Sequence, residues 1–233
     1  MKKRAKRRTS VADEAFDELA RAILSGELPA GSKLPSEREL EQTLGASRVL
    51  IRQAIHRLGD MGLVRVRQGA ATEVQPLSEM RDVRVLELLY RLGHRSGERR
   101  SDMDPFVVER QYMNGASLLE LAELRGTDAQ REEVLRVVNQ EAPGEHEPFL
   151  PFEQKFWHAV AAATNNPIFR MELSWWYRVV GDSMPRPTSV VQTPTALRVA
   201  FHRELARRLV AREQTVAYYF SVVRPILETL AIA

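Results

Sequence analysis

Residues 34–52 read LPSERELEQTLGASRVLIR, a run that places one helix-start signal on each side of a glycine. Ser36 and Glu39 have the spacing of a capping box, in which each side chain bonds the other residue's backbone N–H. Gly45 can adopt the left-handed backbone that ends the resulting helix, and Ser47 can cap the next one. The run therefore predicts two short helices joined by a tight turn.

The neighbouring sequence extends this pattern into a winged helix-turn-helix. Apolar residues recur with helical period between Val11 and Leu24, which predicts another helix ahead of the pair. Residues 63–67 then alternate apolar and basic side chains, residues 68–71 can turn, and residues 72–74 can return as a second strand. In the second short helix, the side chains predicted to face the core are Ile51, Ala54, Ile55 and Leu58.

The positive charge of the chain is concentrated in its N-terminal third. Residues 1–76 contain 14 Lys and Arg against 10 Asp and Glu, a net charge of +4, whereas the remainder has a net charge of −1. This asymmetry is expected where one part of a protein meets a polyanion. We interpret residues 1–10 as a basic, disordered tail that can also touch phosphates.

Arginine side chains cluster around the predicted turn and the start of the second short helix. In a helix-turn-helix this end enters the major groove, where an arginine can fork onto guanine or onto phosphate. Arg48 and Arg52 are four residues apart, so they share the helix face opposite the apolar one. The preceding helix and the predicted wing add further side chains that can contact the DNA backbone or the minor groove. The predicted DNA contacts are Arg38, Ser47, Arg48, Arg52, Arg65, Arg67 and Gln68.

The rest of the chain is predicted to be helical, so the fold class is mainly α. One helix start is marked clearly by Asn166 and Pro167. Helical segments are expected near 79–93, 103–125, 127–141, 149–164, 167–182, 191–210 and 213–231. The predicted parts are the tail 1–10, the winged helix-turn-helix domain 11–76, a linker 77–82, and an all-helical effector-binding and dimerisation domain 83–233.

The composition excludes several other classes of protein. The chain is 44% apolar and 28% charged, as in a folded globular protein, and without cysteine it has neither disulfides nor thiolate metal sites. It lacks an apolar run long enough for a membrane span or a signal peptide, which predicts a cytoplasmic location. The five histidines lack metal-motif spacing, and no nucleophile elbow or phosphate loop is present, so an enzyme is not predicted.

The sequence of the predicted DNA-binding domain resembles the GntR family of winged-helix regulators. The resemblance rests on residues 24–40, 44–48 and 52–55. It implies a homodimeric repressor or activator that binds a palindromic operator, with DNA contacts from the arginines at 38, 48 and 52. Val49 and Leu50 stand where relatives often have hydroxyl residues, and the wing has Ala70 and Ala71 in place of the usual glycine pattern, so the operator is expected to differ from the common one.

The predicted helical domain resembles the FadR-type effector domain of that family. The similarity is carried by residues 109–110, 153–157, 166–167 and 201–202. It implies a small-molecule effector. The implied contacts are Arg110, Glu153, Trp157, His202 and Tyr219.

Many such domains bind a divalent metal through four side chains. By position, the corresponding residues would be Glu153, Trp157, His202 and Arg224. Tryptophan and arginine offer no lone pair to a metal, so no metal or other cofactor is predicted. The resemblance then favours the metal-less branch of FadR-type regulators, which responds to fatty acyl-CoA.

Three alternatives remain open at the level of sequence. The aromatic candidates and His202 could serve only as core packing, and Arg110 could be a buried partner of Glu153. The protein could instead be a metal-dependent regulator that senses a small carboxylate. An enzyme built on the helical domain is the third alternative.

Overall fold

The computed structural model describes residues 11–66, 71–80, 82–92, 104–179 and 192–230. The chain forms two compact units, Met1–Arg99 and Arg100–Ala233. In the first unit the described elements are α1 (Val11–Leu24), α2 (Glu37–Leu44), α3 (Arg48–Asp60), β1 (Val64–Arg65), β2 (Glu73–Val74), a 3₁₀ turn (Leu77–Glu79) and α4 (Arg84–Leu92).

The core of the first unit lies between α1, α3 and the small sheet. The apolar face of α1 packs against α3, because residues at helical spacing bring Phe16 and Leu19 onto one side. β1 and β2 are antiparallel, with Val64 opposite Val74. Gly31 N–H donates to Val74 O of β2, and Leu34 N–H donates to Thr72 O just before β2. These two hydrogen bonds attach the α1–α2 connection to the sheet. The sheet is therefore fixed next to the start of α2.

Helix α4 belongs to the first unit. Val85, Leu88 and Leu92 are buried in the same apolar core as α1 and α3, and α4 packs on α1. The sequence-based boundary placed this segment with the helical domain after residue 82. The difference arises because the amphipathic pattern of α4 shows that one face is buried but does not show against which partner.

The described elements of the second unit are helices: α5 (Asp104–Arg125), α6 (Asp128–Glu141), α7 (Phe149–Ala163), α8 (Pro167–Val179), α9 (Thr195–Ala211) and α10 (Thr215–Leu230). Helix α6 packs against α7 and α9, α5 packs against α7 and α10, and α8 packs against α7. The predicted start of α8 is confirmed, since Asn166 Oδ1 accepts a hydrogen bond from Ile168 N at 3.0 Å.

The predicted fold class is thus confirmed, with one local correction. The segment expected to be a single helix near 79–93 is divided into the 3₁₀ turn at Leu77–Glu79 and α4, which begins at Arg84. Asp82 accepts a hydrogen bond from the backbone N–H of Arg84 at 2.9 Å, which favours a helix start at that point.

Among the helices within the described ranges, none combines the length and apolar character that a membrane crossing requires.

Candidate nucleic-acid interface

The start and end of α2 follow the sequence prediction. Ser36 Oγ accepts a hydrogen bond from Glu39 N at 3.3 Å, and Glu39 accepts one from Ser36 N at 2.7 Å. The Glu39 carboxylate also accepts a hydrogen bond from the Ser36 hydroxyl at 2.7 Å, and this bond, together with the one from Ser36 N, lowers the pKa of Glu39. After α2, Gly45 has a φ of 63°, and its N–H donates to Glu41 O at 3.1 Å. The capping box and the left-handed turn are confirmed, and together they set the direction in which α3 leaves α2.

Helix α3 has its apolar face in the core, as predicted. Ile51 and Leu58 are fully buried, and Ala54 and Ile55 lie beside them. Ser47 occupies the N-cap position with extended backbone, but among the described residues its side chain makes no capping hydrogen bond. Ser47 is therefore the N-cap residue as predicted, but the expected side-chain hydrogen bond is not formed. Its exposed hydroxyl remains turned to the surface at the end of α3 that a helix-turn-helix presents to DNA.

Arg48 and Arg52 lie on the exposed face of α3, and each contacts a carboxylate of α2. Arg52 donates two hydrogen bonds to Glu37, from Nε to Oε1 at 3.0 Å and from Nη2 to Oε2 at 2.8 Å. Arg48 Nε donates to Glu41 Oε2 at 2.8 Å. The hydrogen bond from Arg52 lowers the pKa of Glu37, and the same bond raises the pKa of Arg52.

Sequence reasoning did not find Glu37 and Glu41. Their ion pairs join residues 15 and seven positions apart, so no spacing rule within one helix reveals them. The only signal in the sequence was the presence of three acidic residues, Glu37, Glu39 and Glu41, on the helix before the turn.

The exposed face of α3 includes more than the predicted arginines. Arg48, Val49, Arg52, Gln53 and His56 are all exposed, and their spacing places them on one side of the helix. Val49 is 76% exposed, so an apolar side chain stands between the two arginines. A glutamine on this face can pair with adenine, and an apolar group can contact a thymine methyl. The face therefore offers donors, acceptors and an apolar contact to base edges.

The other predicted DNA contacts are distributed over α2 and the hairpin. Arg38 is exposed on α2, and Arg65 is exposed on β1, with its Nη2 at 3.4 Å from Glu79 Oε2. Arg67 and Gln68 lie outside the described residues. The first unit contains all the described arginines that are predicted to contact DNA, namely Arg38, Arg48, Arg52 and Arg65.

Residues 11–74 match the family described as bacterial regulatory proteins of the gntR family. The HTH-type transcriptional regulator Mce2R of Mycobacterium tuberculosis is 31% identical over 212 residues, covering 90% of this chain and 86% of that protein. The chain belongs to the GntR family. It is a DNA-binding transcriptional regulator, and its family and relatives are regulators rather than enzymes.

Other similar proteins include regulators named for fatty acid metabolism. The fatty acid metabolism regulator protein of Edwardsiella ictaluri is 29% identical over 168 residues, covering 71% of this chain and 67% of that protein. Among solved structures, Streptococcus agalactiae GntR has 22% sequence identity and a TM-score of 0.44, covering 95% of this chain and 100% of that one.

In the second unit of this GntR protein, three of the predicted effector contacts lie in one aromatic cluster. The Trp157 and Tyr219 rings meet edge to face at 6.3 Å between centroids. The Phe201 ring connects His202 with Tyr219, since its centroid lies 5.4 Å from that of His202 and 6.1 Å from that of Tyr219. Trp157, His202 and Tyr219 are all buried, whereas Arg110 is exposed on α5 and Glu153 is half-buried on α7. The suggestion that Arg110 is a buried ion-pair partner is therefore wrong.

Two polar atoms of this aromatic cluster have backbone partners. His202 Nδ1 lies 2.7 Å from Arg198 O, and Tyr219 Oη donates to Tyr112 O at 3.0 Å. Burial lowers the pKa of His202 and raises the pKa of Tyr219. A neutral imidazole and a neutral phenol therefore lie among apolar rings, which is consistent with a packed core.

Gly115 of α5 is a residue of this cluster that sequence reasoning missed. A Cβ at this position would lie 2.7 Å from Tyr219 Oη and 3.0 Å from Trp157 Cη2. Only a glycine lets the two rings approach the α5 backbone this closely. The available signal was an isolated glycine within a helical pattern, which often marks a close packing contact.

The four positions that correspond to the metal ligands of relatives do not fit a metal ion. Trp157 has no ligating atom, and Arg224 is an exposed cation on α10. His202 is enclosed by the rings of Phe149, Phe152, Phe156 and Phe201. Within the part of the chain that the structure describes, no three His, Asp or Glu side chains are grouped as a metal site requires.

Proposed function

We propose that this GntR regulator is a cytoplasmic homodimer that reads a palindromic operator, with α3 in the major groove and the wing on the neighbouring backbone. The observation that carries the proposal is the exposed face of α3, on which Arg48 and Arg52 flank Val49. An arginine at this end of a recognition helix can donate two hydrogen bonds to guanine O6 and N7. Two copies related by a two-fold axis would read two half-sites in opposite orientation.

The contacts of the operator divide into base reading and phosphate binding. In the proposal Arg48 and Arg52 read bases, while Arg38, Arg65, Arg67, Ser47 and Gln68 contact phosphates, sugars or the minor groove. Replacement of a base-reading arginine by alanine is expected to weaken operator binding by about 1–3 kcal/mol and to relax the preference at one position. Replacement of Arg38 should weaken binding to all sequences alike and lower the salt dependence.

The experiment is an in vitro selection of random duplexes with the full chain, followed by binding titrations. We expect an inverted repeat, two protein chains bound to each duplex, and the two classes of arginine effect described above. Selection of no sequence at low salt, where phosphate contacts are strongest, would contradict the proposal. Enrichment of a single half-site bound by one chain would contradict the homodimer.

The second part of the proposal concerns the helical unit, which we infer binds a fatty acyl-CoA as effector. Two observations support this ligand class. The relatives include a protein named as a regulator of fatty acid metabolism, and the side chains at the metal-ligand positions do not suit a metal. The proposed contacts are Arg110, Glu153, Trp157, His202 and Tyr219. The ligand would act by preferring one arrangement of the two DNA-binding units of the dimer.

Thermal-shift measurements compare the candidate effectors directly, because a ligand that binds only the folded state raises the melting temperature. Long-chain acyl-CoAs are expected to raise the melting temperature of the protein, whereas free CoA, dicarboxylates, sugar acids and divalent cations should not. A shift that requires a divalent cation together with a small carboxylate would overturn this part. It would support the metal-dependent sensor in its place.

A further inference from the structure

The carboxylates of Glu37 and Glu41 lie beside the arginines proposed to read DNA. Both belong to α2, and each receives a hydrogen bond from an arginine of α3. Negative charge next to a DNA-binding face opposes the phosphate backbone and lowers affinity for every sequence. Exposed ion pairs contribute little to folding stability, so stability alone does not explain acidic residues at this place.

In the ion pair between Arg52 and Glu37, one edge of the Arg52 guanidinium group contacts the carboxylate and the other edge does not. Nε and Nη2 form the side-on edge, and both donate to Glu37, at 3.0 and 2.8 Å. A guanidinium has five N–H groups, so the two on Nη1 and the second on Nη2 are not used in this contact. One N–H of Nη1 and the second N–H of Nη2 form the end-on edge, which can pair with guanine O6 and N7. The Arg52 side chain is 64% exposed while it makes the contact.

Arg48 is held less completely. One hydrogen bond, from Nε to Glu41 Oε2 at 2.8 Å, joins it to α2. A single contact leaves the guanidinium free to rotate about that bond, whereas a bidentate contact fixes the plane of the group. The Arg52–Glu37 pair is bidentate, so Glu37 is the carboxylate that can fix the orientation of its arginine.

We propose that Glu37 is a specificity-determining positioning residue, which holds the side-on edge of Arg52 so that the end-on edge is presented to a guanine of the operator. The carboxylate lowers affinity for DNA in general and raises discrimination in favour of the operator. Fixing the side chain before binding also reduces the rotamer freedom that is lost on contact. The inference rests on the proposed role of α3 in reading the operator.

The test compares Glu37→Gln with wild type on two duplexes, the sequence obtained by in vitro selection with wild type and an unrelated sequence of equal length. Glutamine keeps the size of the side chain but removes the charge that holds Arg52. We expect tighter binding to the unrelated duplex and a ratio of operator to unrelated affinity that falls by at least about fivefold, the factor that corresponds to the low end of one bidentate contact. The matched control is Glu27→Gln, which removes the same charge from an exposed turn and should leave the ratio unchanged.

A second readout identifies the arginine concerned. Replacing single operator guanines by 7-deazaguanine removes the N7 acceptor. In wild type, at least one guanine of each half-site should be sensitive, and Glu37→Gln should reduce the sensitivity at the guanine that Arg52 contacts while leaving any guanine contacted by Arg48 unchanged. In an Arg52→Lys background, which lacks the planar fork, Glu37→Gln should no longer change the ratio.

The outcomes distinguish the inference from the proposal on which it rests. If wild type selects an operator but Glu37→Gln changes both affinities by the same factor, Glu37 acts only through its charge and the inference is wrong. An unchanged pattern of 7-deazaguanine sensitivity would have the same meaning. If wild type selects no sequence, the proposed operator reading fails first.

Discussion

Replacement of Gly115 by alanine tests the packing of the aromatic cluster in the helical unit. The added Cβ would lie 2.7 Å from Tyr219 Oη, closer than such atoms approach, and 3.0 Å from Trp157 Cη2, which is a very tight contact. Tyr219 is 2% exposed, and its hydroxyl is bonded to Tyr112 O, so the ring cannot move aside without losing that bond.

The expected magnitude follows from three opposing contributions. Overpacking costs about 1–3 kcal/mol, loss of the tyrosine hydrogen bond costs about 0.5–1.5 kcal/mol, and removal of a glycine from a helix gains about 1 kcal/mol. The net result for Gly115→Ala is a loss of about 0.5–3.5 kcal/mol in the free energy of unfolding.

Urea unfolding followed by tryptophan fluorescence is the suitable assay, because Trp157, Trp175 and Trp176 are the 3 tryptophans of the chain and all lie in the second unit. The control is Gly144→Ala, where an added Cβ meets only ordinary contacts with the Glu147 side chain, the closest at 3.9 Å. In a Tyr219→Phe background, which lacks the clashing oxygen, Gly115→Ala should cost less. A Gly115→Ala protein as stable as wild type would refute the packing argument.

Three further predictions concern a cap, the reading face and a buried histidine. Ser36→Ala removes the capping box of α2 and should cost about 1 kcal/mol in thermal unfolding of the first unit, followed by circular dichroism; an unchanged melting curve would contradict it. Val49→Thr should leave stability unchanged, since Val49 is 76% exposed, but should alter the sequence recovered by in vitro selection; recovery of the same operator would show that residue 49 does not read bases. Burial lowers the pKa of His202, so the unfolded state binds the proton more readily than the folded state. The free energy of unfolding should therefore fall as the pH drops below about 6.5, by at most about 1.4 kcal/mol per pH unit. His202→Phe should flatten that dependence in urea unfolding of the second unit between pH 7 and pH 5.5, and an equal slope in both proteins would exclude His202 as its source.

The helix-turn-helix could be predicted in detail because its signals are local. The Ser36–Glu39 capping box and the left-handed Gly45 each involve residues at most a few positions apart. Chain geometry over such distances depends little on the rest of the fold. The apolar period of α3 likewise identified its buried side chains before any partner was known.

Predictions that depended on a distant partner were less complete. The amphipathic pattern of α4 was recognised, but its partner α1 and therefore its unit were not. One alternative made Arg110 a buried partner of Glu153, yet Arg110 is exposed on α5. In each case the residue type was compatible with two environments, and packing selected one of them.

Local sequence signals thus determined which segments are helices, where α2 begins and ends, and which face of α3 is exposed. Tertiary structure alone brought Glu37 to Arg52 and Gly115 to Tyr219. The physical reason is that hydrogen-bond caps and helical periods act between near neighbours, whereas ion pairs between helices and close ring contacts depend on how separate elements pack.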